Sequence, residues 1–416
     1  MTNTINTVKD AVGILTKLAA GTLVDNLQFC KSIGKADESD YDGKNGYKAG
    51  DTVYVSIPAI YTPTTSFDIT SSIQDVLEQK RALTLDIVSS IGVELNSQEL
   101  AYAITSGKGV GSVYDRVIKP ASEATAQYVE NTMLTRAVIG TTNAVGTAGS
   151  TPFDTSTMTN AGARMSEFVC PADNNRFALL SPSAQALAIN ARKGFPNSSE
   201  AISKQYKYGY MGDADGFHYM SNNLLPRLTR GTANPTMTVT TTSVNGATTL
   251  ALTGTGTETL TAGQVISIAN VNAVHPQTKA DLGFNKQFTI ASLATASGGA
   301  YTVTLSGDPI YLTTSQQNVT RFPTSGDVVT IGGGTGGTLS TTYTENLCYH
   351  RDAFRMVSVP LMIPTAVEFG EQYTYKGITV AIVQSYEPLK RRIITRVDFL
   401  GGFCAPRGQW ACRVTS

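Results

Sequence analysis

The clearest periodicity in the chain is a two-residue alternation of apolar and polar positions between Thr232 and Thr344. Runs at Met237–Thr242, Thr248–Thr253, Gln264–Ile268, Gln287–Leu293, Tyr301–Leu305 and Asp327–Ile331 set Val, Ile, Leu, Phe or Tyr against Thr, Ser or Gln. β-branched and aromatic residues at a period of two suit a half-buried pleated strand. Turn residues separate the runs: Asn245-Gly246, Thr253-Gly254-Thr255 and Ser297-Gly298-Gly299. Asn-Gly supplies the left-handed backbone that a tight hairpin turn needs. Many short strands at steady intervals predict a small all-β barrel or sandwich. Only seven charged side chains fall in this stretch: Glu258, Lys279, Asp281, Lys286, Asp308, Arg321 and Asp327.

The pattern changes on either side. Residues 8–29 carry Val12, Ile14, Leu15, Leu18 and Ala19 at helical spacing, and Gly21 is expected to weaken or end that helix. A polar connector follows, then an alternating strand at Thr52–Pro58. Thr62 to Thr70 has little to bury and reads as a long hairpin arm, with Asp86-Ile87-Val88 as its return strand. Ser97 would cap a brief helix. Residues 112–140 hold the strongest helix. Val113, Val117, Ala121, Ala124, Tyr128, Thr132 and Thr135 form its stripe, with Met133, Leu134 and Val138 nearby. Pro120 either opens a second helix at its first turn or kinks one long helix. Further helices are predicted at Ser156–Val169 and Pro182–Ala191, around a strand at Arg176–Leu180. Beyond the β block, strands are predicted at Phe354–Pro360, Ile378–Tyr386 and Arg391–Leu400. Helix and strand in short order imply an α+β domain, interrupted by the β module and resumed after it.

Composition narrows the function. At 416 residues the chain has room for about two or three domains. Lys+Arg and Asp+Glu both number 32, so no basic excess advertises nucleic-acid binding. Charged residues make up 15%, against roughly 25% in ordinary soluble domains. A sparsely charged, neutral surface tends to associate, which suits a subunit that buries its surface in an assembly. The five cysteines are odd in number and form no CxxC, as expected of reduced, buried thiols. Met1 to Asp10 lacks the apolar core of a signal peptide. No apolar run approaches the ~20 residues of a membrane helix.

Catalytic patterns are missing. His218, His275 and His350 lie far apart, and the chain contains neither HExxH nor GxSxG. Gly332 to Gly337 lacks the Lys-Ser/Thr of a phosphate loop and reads as a linker. Gly107 to Ser112 precedes a helix but has no Rossmann strand or acidic partner around it. No enzyme activity, cofactor or metal is expected. Two charged clusters have the character of assembly contacts. Lys390, Arg391 and Arg392 with Arg396 are either a solvated strand start with salt bridges or a contact for phosphates or an acidic neighbour. Asp37, Glu38 and Asp40 are either a loop or a docking site for a basic partner.

Two stretches carry a family resemblance. Leu260 to Val271, followed by the polar linker Ala273–Phe284, Asn285 to Ile290, Tyr301 to Leu305 and Asp308-Pro309-Ile310, resembles the insertion domain of the P22-like coat proteins of tailed bacteriophages. Asn346 to Leu361 is similar to that family's return from the insert into the capsid core. The order of elements matches along nearly the whole chain. The resemblance implies an α+β, HK97-like capsid fold with an inserted all-β barrel-like domain. It divides the chain into an N-terminal arm (1–49), an extended-loop region (50–100), a spine helix with peripheral and axial core (101–231), the insert (232–344) and return strands (345–416). It also implies a homo-oligomer, with hexamers and pentamers in an icosahedral shell. The shell would assemble in the bacterial cytoplasm around a scaffolding protein, carry a portal protein and hold DNA contacted non-specifically, with no membrane. Tyr54 and Tyr61, in the extended-loop region, join the two charged clusters as candidate intersubunit contacts. No Lys/Asn crosslinking pair is assigned. The alternative is a β-rich phage tail or adhesion protein.

Overall fold

In the computed structural model the alternating stretch closes on itself. Met237–Val239, Thr249–Thr253, Ala300–Ser306, Asp281–Ile290, Val265–Val274 and Val328–Gly332 form a closed six-stranded barrel in that spatial order. Every pairing is antiparallel, from Thr238 against Thr253 round to Met237 against Val329. The structure describes residues 16–35, 50–61, 65, 67–70, 73–74, 78–96, 117–146, 155–191, 212–233, 237–254, 256–313, 315–332, 341–361, 363, 369–390 and 392–415. Alternate side chains fill the barrel: Val239, Leu250, Leu252, Ile266, Ile268, Phe288, Ile290, Val303 and Val329 are all buried. Burying each such side chain is worth roughly 1.5–3 kcal/mol against exposure. Closure also removes the unpaired edges that an open sheet would expose.

The predicted strands are found, with different lengths. The stretch read as a polar linker, Ala273–Phe284, is half strand: Val265–Val274 and Asp281–Ile290 meet in a hairpin whose turn is 275–280, with Val274 opposite Asp281. Polar residues there mark a solvated ladder, which hydropathy alone does not separate from a loop. Asn245-Gly246 forms a turn with Gly246 at φ +82°, inside a longer connection than a two-residue hairpin. Gly231 lies at the entrance to the barrel, where a side chain would overlap the Thr259 carbonyl oxygen.

The chain divides into two units. The first comprises Met1–Tyr54, Ala82–Met133 and Arg355–Cys404. Its sheet is ordered Gly34–Lys35, Arg355–Ser358, Arg392–Cys404, Ile378–Glu387 and Phe369–Tyr375, with Ile87–Asn96 also paired to Arg392–Cys404. The long strand Arg392–Cys404 is the axis of this sheet, flanked on both edges for much of its length. Residues 16–26 are helical, and the helix continues through Gly21. Leu23 and Val24, fully buried beyond the glycine, hold that turn in place, which outweighs a helix penalty of roughly 1 kcal/mol.

The second unit comprises Val55–Arg81, Leu134–Phe354 and Ala405–Ser416. Beside the barrel it holds a seven-stranded sheet ordered Asn143–Gly146, Ala411–Thr415, Thr342–His350, Arg176–Leu180, Phe217–Ser221 and Asp213–Ala214, with Arg227–Thr229 paired to Thr342–His350. Helices Thr155–Glu167 and Pro182–Ala191, both near their predicted bounds, cover it. Met158, Ala161, Met165, Ala184, Ala188, Cys348 and Cys412 share one core.

Two readings need correction. The strand expected at Asp86–Val88 is Ile87–Asn96, and it pairs with Arg392–Cys404. The partner of Thr52–Ile57 is Gln79–Thr84, a run whose Lys80 and Arg81 hide the alternation. The long helix is Lys119–Gly140, with Pro120 in its first turn, where the missing N–H costs nothing. Its buried face is not the predicted stripe: Tyr128 is exposed and Ala124 faces solvent. The buried face runs through Ala121, Thr125, Val129, Met133 and Ala137, with Ser122, Ala126, Glu130, Leu134 and Val138 alongside. Polar members of that face hid it from an apolar count. The helix at Ser97 and the glycine run Gly107–Ser112 lie outside the described residues, as do residues 333–340 of the Gly332 linker.

Candidate functional site

Glu130 is fully buried on the long helix, where a carboxylate is costly without partners. It finds them in backbone. Its Oε1 accepts from the amides of Gln28 (2.9 Å) and Phe29 (2.7 Å), and its Oε2 from that of Cys30 (3.5 Å). These are leading amides of the short helix Phe29–Ser32, which has no side-chain cap of its own. Such amides lack intrahelical acceptors, so Glu130 serves as their cap from a residue about one hundred positions away. Burial pushes its carboxyl above the ordinary value, and the three amides pull it back.

In the second unit, a polar cluster joins the barrel to the seven-stranded sheet. Arg413, on the C-terminal strand, is 0% exposed. Its Nη1 donates to the Gly263 carbonyl at 2.6 Å and its Nη2 to Thr289 Oγ1 at 3.2 Å, both on the barrel. Glu345 Oε1 lies 3.6 Å from Nη1, and Glu345 Oε2 accepts from Thr415 at 3.1 Å. Thr289 in turn donates to the Thr141 carbonyl at 2.8 Å. Gln287 exchanges two hydrogen bonds with Ala144: its Oε1 accepts from the amide at 2.7 Å, and its Nε2 donates to the carbonyl at 2.9 Å. A planar guanidinium can satisfy several acceptors from one point, and here it ties strand ends from both parts of the unit.

The surface residues read from sequence are dispersed. Asp37, Glu38, Asp40 and Arg391 lie outside the described residues. Lys390 is exposed. Arg392 is engaged within its own unit, by Glu94 at 2.7 Å and by Glu387. Arg396 pairs with Asp398 at 2.6 Å and donates to Ser90 Oγ at 3.0 Å. Tyr54 is 64% exposed and Tyr61 54%. Phe67, Ile69 and Ile73, farther along the same region, are exposed as well. Scattered apolar residues are ordinary on a surface, but five within twenty positions of the sequence form a candidate contact stretch.

Among the described residues, the thiols and imidazoles are buried or hydrogen-bonded. All five cysteines are buried, and burial pushes the thiols of Cys170 to about 11 and Cys412 to about 12, away from the thiolate that reacts. His350 is buried and bonded to Asp173 at 2.9 Å, and His218 is bonded to Asp213 and to the Asn174 carbonyl. Asp173 is held at about 2, chiefly by the Asn175 amide side chain and then by His350. Among the described residues, no three His, Cys, Asp or Glu side chains approach as metal ligands would.

Glu130, Arg413 and Glu345 escaped the sequence reading. The available signal was a charge at an otherwise inward position: Glu130 between Val129 and Met133, and Arg413 between Cys412 and Val414.

Comparison with known proteins identifies a family. The family model described as "P22 coat protein - gene protein 5" matches residues 16–405. No curated protein matches. Among solved structures, the chain is similar to one of Mycobacterium phage Che8, at 10% identity and TM-score 0.46, covering 93% of this chain and 90% of that one. It is also similar to the capsid of Ralstonia phage GP4, at 7% identity and TM-score 0.46, covering 92% and 86%. The capsid of cyanophage P-SCSP1u is a further match, at 10% identity and TM-score 0.39, covering 92% and 89%.

Proposed function

This chain belongs to the P22 coat protein family and is a shell-forming capsid protein; from that premise we propose how its parts divide the work. The framework is an HK97-like capsid fold, with residues 1–49 as arm, 50–100 as extended loop, 101–231 as spine helix with peripheral and axial core, and 345–416 as return strands. Residues 232–344 are the inserted domain. The observation that carries this reading is the single family match running from 16 to 405, through both flanks and the barrel between them. The long helix Lys119–Gly140 supports the spine assignment, and the closed barrel supports the insert.

Copies associate as hexamers and pentamers of an icosahedral shell. The exposed apolar residues from Tyr54 to Ile73 are the parts of the extended loop that a neighbour covers. Asp37, Glu38, Asp40, Lys390, Arg391, Arg392 and Arg396 contribute charged contacts to neighbouring copies or to a scaffolding protein. Assembly takes place in the bacterial cytoplasm and includes a portal protein. The balanced charge gives no net pull toward a polyanion, so contact with packaged DNA is weak and non-specific.

The experiment removes residues 232–344, joins the flanks and examines the product by electron microscopy. Aggregated or mis-sized particles are expected, because the deletion strips Arg413 of its acceptors on Gly263 and Thr289. Shells of normal size from the deleted chain would show the insert to be dispensable for assembly.

A further inference from the structure

Strand Asp281–Ile290 points alternate residues inward, and Phe288 and Ile290 on that face belong to the barrel core. Lys286 occupies the same face one step earlier and is only 7% exposed. Its ammonium lies 4.9 Å from the Phe168 ring centroid. A cation over an aromatic face gains something, but less than a full ion pair. Among the described residues no hydrogen bond or salt bridge reaches its Nζ. Asp308 is the nearby acid, and its carboxylate is held by Arg81. Burial lowers the lysine's proton affinity, as expected of a cation short of acceptors.

Lys286 lines a cleft of about 830 Å³ within the second unit, together with Phe168, Ile60, Tyr61, Lys279 and Trp410. Clefts of this size hold small organic ligands. Lys279 also carries no carboxylate: its Nζ donates to the carbonyls of Pro276 (2.7 Å), Ser315 (2.5 Å) and Gln317 (3.5 Å). Arg81 Nε, beside Asp308, is buried without a partner. Among the cleft's lining residues Lys279, Lys286 and Arg407 are cationic and Asp308 alone is anionic. Its wall includes Val169 at φ +57°, a strained conformation for a β-branched residue and one that tends to persist at functional sites.

We propose that this cleft is a binding site for a carboxylate carried on an apolar or aromatic body. The carboxylate sits against Lys286 and the body lies along Phe168, Ile60 and Trp410. The single buried ammonium of Lys286 matches one negative charge, and Arg407, 4.1 Å from the Trp410 ring centroid, adds a second cation to the same lining. The carboxylate comes either from a diffusible molecule or from a second copy of this chain.

Trp410 is the only tryptophan, so its emission reports the cleft directly. Unassembled full-length chain is titrated with phenylacetate and with its neutral isostere phenylacetamide. Saturable quenching by phenylacetate is expected, with phenylacetamide about tenfold weaker, the worth of one charge-assisted hydrogen bond. Lys286→Met should weaken phenylacetate to the level of the amide, while Lys286→Arg stays within about threefold of the parent. Met is close to Lys in length and apolar, so the fold is expected to survive; Lys286→Gln gives the same reading should it not. Equal binding of acid and amide, no saturable quenching, or unchanged affinity in both Lys286→Met and Lys286→Gln would overturn the proposal. A final arm repeats the phenylacetate titration on assembled shells. Loss of quenching there assigns the carboxylate to a neighbouring copy, and persistence assigns it to a diffusible molecule.

Discussion

Arg413→Ala is expected to lower the stability of the unassembled subunit by roughly 3–5 kcal/mol, the cost of leaving a buried partner charge uncompensated. The substitution strips Glu345 of its cation, and the Gly263 carbonyl and Thr289 hydroxyl of a donor, in a place closed to water. The loss should depend on pH, and its sign is fixed. Burial raises the Glu345 carboxyl above its ordinary value of 4.5, and Arg413 opposes that rise. A group with a raised folded pKa contributes its stability below the unfolded value and loses it as pH rises through the folded one. Without Arg413 the folded value climbs further. The gap between variant and parent is therefore wide at pH 7 and narrows as pH falls toward 4.5. Removing both charges, as Arg413→Met with Glu345→Gln, should recover part of the loss. Urea unfolding followed by Trp410 emission measures all of this. A loss under about 1 kcal/mol for Arg413→Ala would mean that water reaches the cluster.

Glu130→Ala is the second large effect. It takes the carboxylate acceptor away from the buried amides of Phe29 and Cys30 and from the part-buried amide of Gln28. Each buried orphan donor costs roughly 1–3 kcal/mol, so a total near 3–5 kcal/mol is expected. Glu130→Gln keeps a carbonyl oxygen at the same place and should retain about half of that. Hydrogen exchange supplies the local test. The amides of residues 28–30 should lose protection in Glu130→Ala before the strand Arg392–Cys404 does. Unchanged protection at Phe29 would show that another group caps that helix.

The barrel was legible because its strands alternate Thr with Val, Leu or Ile on a surface buried on one side only. Leu250, Leu252 and Val303 announce themselves against exposed Thr249, Thr253 and Thr302. The helices at Thr155–Glu167 and Pro182–Ala191 were legible from loop residues at their ends. Three things were not. Gln79–Thr84 carries strand geometry on a charged sequence, because pairing with Thr52–Ile57 decides its conformation. The long helix was placed correctly but rotated, since Ser122, Thr125 and Glu130 sit inward where an apolar count expects Tyr128. Ser122 and Thr125 are satisfied by the carbonyls four residues back, a local solution with no trace in composition. Lys286, Glu130 and Arg413 belong to a third kind. Each is a charge at an inward strand or helix position, and the apolar neighbours that mark such a position also flank charges that point outward.

The central claim is that this chain exists to meet copies of itself in a closed shell. Cryo-electron microscopy of the expressed 416-residue chain tests it most directly. The expected images show closed icosahedral particles built from hexamers and pentamers of this subunit. A stable monomer under those conditions, or open tubes and rings, would contradict the account.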